Sequence, residues 1–304
     1  MKLETHGVRL RKITIIGVGL LGGSIGLAAK RRKRVAPGEV AGFVRRVASL
    51  KDCEKAGAVD FATTDLLAAV WNADLVILCT PLAQMRPLAE QFLPALKRGA
   101  VVTDVGSVKA SVVRELESLV AKAGAHFVGS HPMAGGEKTG VGAASADLFV
   151  NAVCVVTPTR KSKPAAVRKV EQFWKSLGAR VLKMPPARHD LFVSHTSHLP
   201  HVIAATLTNT VLKTGRKTER ALLATGFRDT TRIASGSPTM WRDIAIANRK
   251  NLANSISKVI HDLKKLQANL RRKSVNVTVV SKFFQNAKQQ RDNWLKGNTN
   301  QSVE

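Results

Sequence analysis

A mostly parallel α/β sheet followed by an all-helical domain is the fold class this sequence predicts, and three observations predict it. Short apolar runs alternate with amphipathic stretches as far as Lys183. The first of those runs feeds directly into a glycine-rich turn. Past Pro185-Pro186 the alternation stops and only helical periodicities remain. The expected division is an α/β domain over residues 1–185 and a helical domain over residues 186–304.

With 304 residues and 44% hydrophobic content, the chain can bury a full core and is long enough for one large or two ordinary domains. No apolar run reaches the roughly 18 residues of a membrane span, and Met1-Lys2-Leu3-Glu4-Thr5-His6 lacks the apolar core of a signal peptide. A soluble, cytoplasmic protein with no membrane partner is expected. Cys53, Cys79 and Cys154 lie far apart without C-x-x-C spacing, which argues against disulfides and a cysteine metal site. The net charge of +27 raises a nucleic-acid partner. Yet the basic residues cluster only at Lys30-Arg31-Arg32-Lys33-Arg34, Arg45-Arg46 and Arg271-Arg272-Lys273, and at 5% aromatic content a stacking platform for bases is poorly supported. No nucleic-acid partner is expected; the positive field suits small polyanionic substrates and phosphate-bearing cofactors.

The first strand, Lys12-Ile13-Thr14-Ile15-Ile16, runs into Gly17-Val18-Gly19-Leu20-Leu21-Gly22-Gly23-Ser24. This is G-x-G-x-x-G between a strand and a helix over 24–30, with a second strand at 39–44. Gly17 permits the tight turn, Gly19 lets a pyrophosphate lie against the backbone, and Gly22 lets the helix pack on the strand. That is the signature of a Rossmann-type dinucleotide site, with Gly17, Gly19, Leu20, Leu21 and Gly22 as cofactor contacts. The tip of the second strand normally carries an acid for the ribose of NAD. Here it reads Val44-Arg45-Arg46, two guanidiniums able to grip a phosphate, which favours NADP over NAD. The competing reading makes Arg45 and Arg46 solvated charges opening a helix.

A helix over 49–55 follows. Next comes the continuous apolar run Ala73-Asp74-Leu75-Val76-Ile77-Leu78-Cys79, a strand buried on both faces that Thr80-Pro81 stops at the cofactor. A helix is expected at 87–97 and a strand at 100–105. Gly106-Ser107-Val108-Lys109 then opens the helix carrying Val112, Val113, Leu116 and Leu119. Ser107 can be a functional hydroxyl, a helix N-cap, or both. After a strand at 125–128, the loop Gly129-Ser130-His131-Pro132-Met133-Ala134-Gly135-Gly136-Glu137-Lys138 sets a histidine and a carboxylate among small residues just past a strand's carboxyl end, where open α/β sheets bind ligands. A strand at 152–156, a helix at 165–177 and a strand at 180–183 complete the domain.

In the helical domain, Ser197-His198-Leu199-Pro200-His201 leads into a helix, and Pro200 is acceptable only in a first turn or at a kink. Spacings of three and four place Ser197, His198 and His201 on one side. Without H-E-x-x-H or a third ligand, no metal is expected. Arg232 lies in a stretch dense in arginine, hydroxyls and glycine, and its guanidinium can clamp a carboxylate through two parallel hydrogen bonds. Arg242 and Asp243 read as a local surface pair. Residues 241–270 read as one long helix. The β-branched tail at 275–284 reads as helix from its setting, with 286–294 also helical and 297–304 frayed.

The motifs Gly17-Val18-Gly19-Leu20-Leu21-Gly22-Gly23-Ser24, Asp104-Val105-Gly106-Ser107-Val108-Lys109, Ser130-His131-Pro132-Met133-Ala134-Gly135, Ser197-His198-Leu199-Pro200-His201, and Thr231-Arg232-Ile233-Ala234 followed by Met240-Trp241-Arg242-Asp243 resemble the prephenate or arogenate dehydrogenase family. They occur in the family's order and span nearly the whole chain. The resemblance implies an enzyme that oxidatively decarboxylates prephenate or L-arogenate to 4-hydroxyphenylpyruvate or L-tyrosine, with hydride passing to NADP or NAD, in tyrosine biosynthesis. It implies that His131 hydrogen-bonds the substrate hydroxyl and helps remove its proton, and that Ser107 orients the imidazole. By the same resemblance Arg232 holds a carboxylate, His201, Ser197 and Trp241 belong to the substrate pocket, and Glu137 lies at its mouth. The helical domain is then a dimerisation domain and the protein a homodimer. Gly136 stands where some relatives have threonine, and Val44 where many have an acid. Two rivals remain: a β-hydroxyacid dehydrogenase of related architecture, which the His131 and His198 motifs disfavour, and a basic nucleic-acid-binding protein with a Rossmann fold, which would bind with steep salt dependence.

Overall fold

The structure, a computed structural model, describes residues 10–31, 37–136, 138–213 and 215–300. Arg32, Lys33 and Arg34 of the first basic cluster, residues 1–6 and the last four residues of the tail lie outside them.

Six short strands build the first sheet: β1 (Lys12–Ile16), β2 (Glu39–Phe43), β3 (Phe61–Thr63), β4 (Leu75–Leu78), β5 (Val101–Asp104) and β6 (His126–Phe127). Their order is β3-β2-β1-β4-β5-β6, every pair parallel. The connecting helices are α1 (Leu20–Arg31), α2 (Ala48–Lys55), α3 (Leu66–Val70), α4 (Leu82–Phe92) and α5 (Ala110–Lys122). The order reverses between β1 and β4, so their carboxyl ends form the crevice where such sheets take ligands.

The alternation of side chains along each strand explains the two cores. Ile13, Ile15, Leu75 and Ile77 point to a cluster with Ile25, Ala28 and Ala29 of α1. Ile16, Val76, Leu78 and Val102 point the other way, against Met85, Ala89 and Phe92 of α4 and Val112, Leu116 and Val120 of α5. Both faces are covered by helices, which is why these strands read as unbroken apolar runs.

A second sheet follows: β7 (Gly129–Pro132), β8 (Val153–Thr157) and β9 (Arg180–Lys183), with α6 (Pro164–Ser176) between the last two. β7 pairs antiparallel with β8, and β8 parallel with β9. Here the structure corrects the expected loop around His131: the residue lies within β7, opposite Val155.

From α7 (Pro186–Val193) the chain is helical, through α8 (Leu199–Leu212), α9 (Lys217–Ala221), α10 (Thr225–Thr231), α11 (Pro238–Ala247), α12 (Arg249–Leu270) and α13 (Val277–Asn300). A π turn, Ser194–His198, joins α7 to α8, with Pro200 in the first turn of α8. The single long helix expected over 241–270 is instead broken at Asn248, which leaves helical dihedrals as the C-cap of α11. Its amide is recruited by buried partners described below. The β-branched tail is helical.

The chain forms two compact units, Met1–Arg249 and Lys250–Glu304. In the second, Asn269 Nδ2 donates to the Asn276 carbonyl at 3.1 Å and closes the turn between α12 and α13. No helix among the described residues is long and apolar enough to cross a membrane.

Candidate active site

The turn after β1 is built for a backbone that must stay bare. Gly17 adopts φ +97°, and a β-carbon there would meet the Cys79 carbonyl oxygen at 2.8 Å and Thr80 Cγ2 at 3.0 Å. A β-carbon on Gly22 would lie 2.1 Å from the Gly17 oxygen, so α1 can approach β1 only without one. At Gly19, by contrast, nothing lies within 4 Å, which leaves open space at the amino end of α1. Beside this turn, past the end of β4, Thr80 Oγ1 is buried with no hydrogen-bond partner. An open glycine, a helix amino terminus and an orphaned hydroxyl fit a dinucleotide: the first two receive phosphates, and the third lacks the partner a buried polar atom needs. Leu20 opens α1, Leu21 packs against the core, and Pro81 caps α4. Arg45 and Arg46 are exposed between the tip of β2 and α2.

The segment after β7 folds over the same place. A β-carbon on Gly136 would lie 3.6 Å from Leu20 Cδ2, one on Gly23 would lie 2.9 Å from Ala144 Cβ, and Ser145 N donates to Ser24 Oγ at 2.9 Å. The glycine turn and the His131 segment are therefore neighbours.

Ser130 explains why β7 sits where it does. Its Oγ donates to the Asp104 carbonyl (2.6 Å), accepts from Trp174 Nε1 (2.9 Å) and lies 2.9 Å from Thr103 Oγ1. Its N–H donates to Asp104 Oδ1 at 3.1 Å, and its carbonyl accepts from Lys109 Nζ at 2.8 Å. Lys109 and Asp104 are both fully buried and form an ion pair. Burial lowers the pKa of Lys109, and the Asp104 carboxylate opposes that fall.

His131, 8% exposed, follows on β7. Its Nδ1 is 2.8 Å from His189 Nε2, and His189 Nδ1 is 2.8 Å from Asp190 Oδ1. Asp190 also accepts the Lys109 N–H at 2.7 Å and the Ala110 N–H at 2.9 Å, so a carboxylate on α7 caps the amino end of α5. Burial first, then the neighbouring His189, Lys109 and His198, hold His131 well below the ordinary histidine pKa. It is a neutral imidazole at physiological pH.

The helical wall is joined to this network. Asn248 Nδ2 donates to the Asp190 carbonyl at 2.8 Å and lies 3.2 Å from His198 Nδ1. His198, at the end of the π turn, is pushed down to about 4, chiefly by burial. His201 stacks on Trp241 with ring centroids 3.5 Å apart, and its pKa is lowered by burial. A β-carbon on Gly236 would strike Trp241 Nε1 at 2.6 Å, so that stack requires glycine there. Arg232 is exposed, in a 3-10 turn packed on α8, and Ser197 is half-buried in the π turn. Glu137 lies outside the described residues.

Two family models divide the chain between them: prephenate dehydrogenase, nucleotide-binding domain, over residues 27–183, and prephenate dehydrogenase, dimerization domain, over residues 185–286. A cyclohexadienyl dehydrogenase of Zymomonas mobilis is 36% identical over 262 residues, covering 84% of this chain and 87% of that protein. The chain belongs to the prephenate dehydrogenase family. The prephenate dehydrogenase of Bacillus subtilis is 34% identical over 92% of this chain and 75% of its own length. Among solved structures, the prephenate dehydrogenase of A. aeolicus in complex with hydroxyphenyl propionate and NAD+ superposes with a TM-score of 0.86, at 30% identity, covering 94% of this chain and 99% of that one.

In this prephenate dehydrogenase family member, the expected residues Gly17, Gly19, Gly22 and Thr80 line one turn, and His201 meets Trp241. The expected contact between Ser107 and His131 differs: His189 occupies Nδ1, and no hydrogen bond of the Ser107 side chain occurs among the described residues. Nor does Ser107 cap α5, since no side chain caps it at Lys109 and Asp190 takes its first N–H groups. Sequence reasoning missed His189, Asp190, Lys109 and Asn248. The pair His189-Asp190, falling on α7 just past the two prolines, was the available signal.

Proposed function

We propose that the protein catalyses the oxidative decarboxylation of prephenate or L-arogenate to 4-hydroxyphenylpyruvate or L-tyrosine, as an NADP- or NAD-dependent enzyme of tyrosine biosynthesis. The observation that carries this reading is His131: buried, neutral, fixed through Nδ1, and adjacent through its own segment to a glycine turn shaped for a dinucleotide. A nicotinamide bound there would supply the hydride acceptor. His131 then takes the proton of the substrate's ring hydroxyl as hydride leaves the carbon that bears that hydroxyl. The bond to the departing carboxylate breaks, its electron pair enters the ring as carbon dioxide is lost, and the proton returns from His131 to the phenol oxygen of the product. Aromatisation supplies much of the driving force, so the protein's work is positioning, proton removal and carboxylate binding.

In this reading Ser107 serves the same site as a hydroxyl at the strand-to-helix turn. Arg232 holds a carboxylate with its guanidinium, and Ser197, His201 and Trp241 wall the pocket, with Glu137 at its mouth. Gly17, Gly19, Leu20, Leu21, Gly22, Thr80 and Pro81 hold the cofactor. The exposed Arg45 and Arg46, with no acid at the β2 tip, support NADP as the preferred form. A domain boundary near residue 185 is supported by the place where the two family models meet. A homodimer is supported by the description of the second model and by the apolar surface the α12–α13 unit exposes, including Leu263, Leu270, Phe284 and Trp294. The proposed location is the cytoplasm.

Steady-state assays of both substrates with both cofactors, four combinations in all, test the proposal. Turnover of at least one cyclohexadienyl substrate, fastest with NADP, is expected. Absence of turnover in all four would overturn it.

A further inference from the structure

The row of contacts running from Asp190 through His189 to His131 has a direction that the chemistry of its members fixes. Asp190 lies with Oδ1 against Lys109 N and Oδ2 against Ala110 N, two backbone donors that a carboxylate satisfies as an acceptor. The same Oδ1 faces His189 Nδ1 at 2.8 Å, so His189 must carry its proton on Nδ1 and donate it. His189 Nε2 is then a lone pair. It faces His131 Nδ1 at 2.8 Å, so His131 in turn must carry its proton on Nδ1. That leaves His131 Nε2 unprotonated, and no described residue hydrogen-bonds it. Both imidazoles are buried, so water cannot reverse the pattern at low cost.

We infer that His189 and Asp190 are positioning residues: they hold His131 in the Nδ1–H form, with Nε2 as the acceptor for the substrate's hydroxyl proton, and they take up the positive charge that this proton brings. The inference rests on the proposed function for the identity of that proton's donor, and adds two residues to it. When the hydroxyl O–H bond breaks, its proton joins His131 Nε2. The imidazolium so formed can pass its Nδ1 proton to His189 Nε2, and His189, still donating through Nδ1, becomes the cation directly paired with Asp190. No proton is gained or lost within the row beyond the one delivered.

The surroundings make this need concrete. The charged and titratable groups facing His131 are Lys109 ahead of α5, His189 on α7, His198 in the π turn and Cys154 on β8. Burial most of all, then His189, Lys109 and His198, disfavour a cation on His131. A carboxylate two rings away is the counter-charge the row provides. Asp190 is itself anchored by three donors: its carboxylate accepts from the backbone amides of Lys109 and Ala110 at the amino end of α5, and its carbonyl accepts from the Asn248 side-chain amide. The logic is that of an acid orienting a histidine base, with a second imidazole between them.

The test has two arms. Nitrogen-15 NMR of histidine-labelled protein, without substrate, reads the ring tautomers directly: in the neutral rings, His131 and His189 are both expected with a protonated Nδ1 and a bare Nε2. A protonated His131 Nε2 in the wild type would overturn the inference. In the kinetic arm, His189→Leu is expected to lower kcat by about 10- to 100-fold with substrate KM and cofactor Kd within about threefold, and to bring protonated Nε2 into the His131 spectrum. His189→Gln, whose amide oxygen replaces the lost acceptor, is expected to restore the tautomer and a major part of kcat. If His189→Leu retains kcat within about twofold, or if Gln and Leu behave alike with His131 unchanged, the inference fails. Should His189→Leu not fold, the wild-type spectrum and the Gln variant decide. Wild-type inactivity on both substrates would instead defeat the proposed function and leave the tautomer reading standing.

Discussion

Thr80→Val is the substitution whose two effects should have opposite signs. Thr80 Oγ1 is buried beside the Gly17 turn and has no partner, so the protein without cofactor carries the cost of a dehydrated hydroxyl. Valine keeps the Cγ2 methyl that faces Gly17 and replaces the orphan with a second methyl. Removing an unsatisfied buried hydroxyl is worth about 1 kcal/mol, which for a unit of this size raises Tm by roughly 2–4 °C. With cofactor the sign reverses. If the bound dinucleotide supplies the missing partner, valine leaves that group unpaired and costs about 1–2 kcal/mol, a Kd weaker by roughly 5- to 30-fold. Calorimetric titration with NADP, alongside thermal melts with and without it, measures both. Undiminished affinity would refute the assignment of this hydroxyl to the cofactor, and a lower apo Tm would show that it is already satisfied.

Other substitutions probe separate parts of the account. Gly22→Ala drives a β-carbon to 2.1 Å from the Gly17 carbonyl, a backbone clash that no rotamer relieves, so denaturation should show a loss above about 2 kcal/mol with cofactor binding weakened more than tenfold. Arg45→Ala with Arg46→Ala should weaken NADP by about tenfold and leave NAD unchanged; equal effects on the two would remove these arginines from phosphate recognition. Lys109→Met strands the buried Asp104 carboxylate and should cost about 3–5 kcal/mol in urea unfolding. For His198, the folded pKa of about 4 lies below the unfolded value of 6.5, so the unfolded chain binds the extra proton between them. Stability from this group is full above pH 6.5 and declines by roughly 3 kcal/mol as pH falls to about 4, a slope that His198→Gln should flatten in acid-titrated melts.

How much of this was legible in the sequence follows from the range of the forces involved. β1, the glycine turn and β9 could be read directly, because local pattern and steric demand suffice there. β3 and α3 were not: Phe61–Thr63 is a three-residue edge strand, too short to show a period, and the sign of α3 was a single residue, Asp65, whose carboxylate caps Leu67 and Ala68. Pro87 misled the placement of α4, since it sits inside a helix that begins five residues earlier. The break at Asn248 and the residence of His131 in a strand both depend on contacts across the fold, Asn248 with Asp190 and Ser130 with Asp104, that no window of sequence contains. The same holds for the site. Glycines and His131 announce themselves by neighbours in the chain, whereas His189 reaches His131 across 58 positions.

The central claim is that a neutral His131 imidazole removes the substrate's hydroxyl proton, and single-turnover kinetics of His131→Asn tests it most directly. The account predicts a chemical step slower by about 10²-fold or more, with the Kd for NADP unchanged. A variant that turns over near the wild-type rate with its cofactor bound would contradict it.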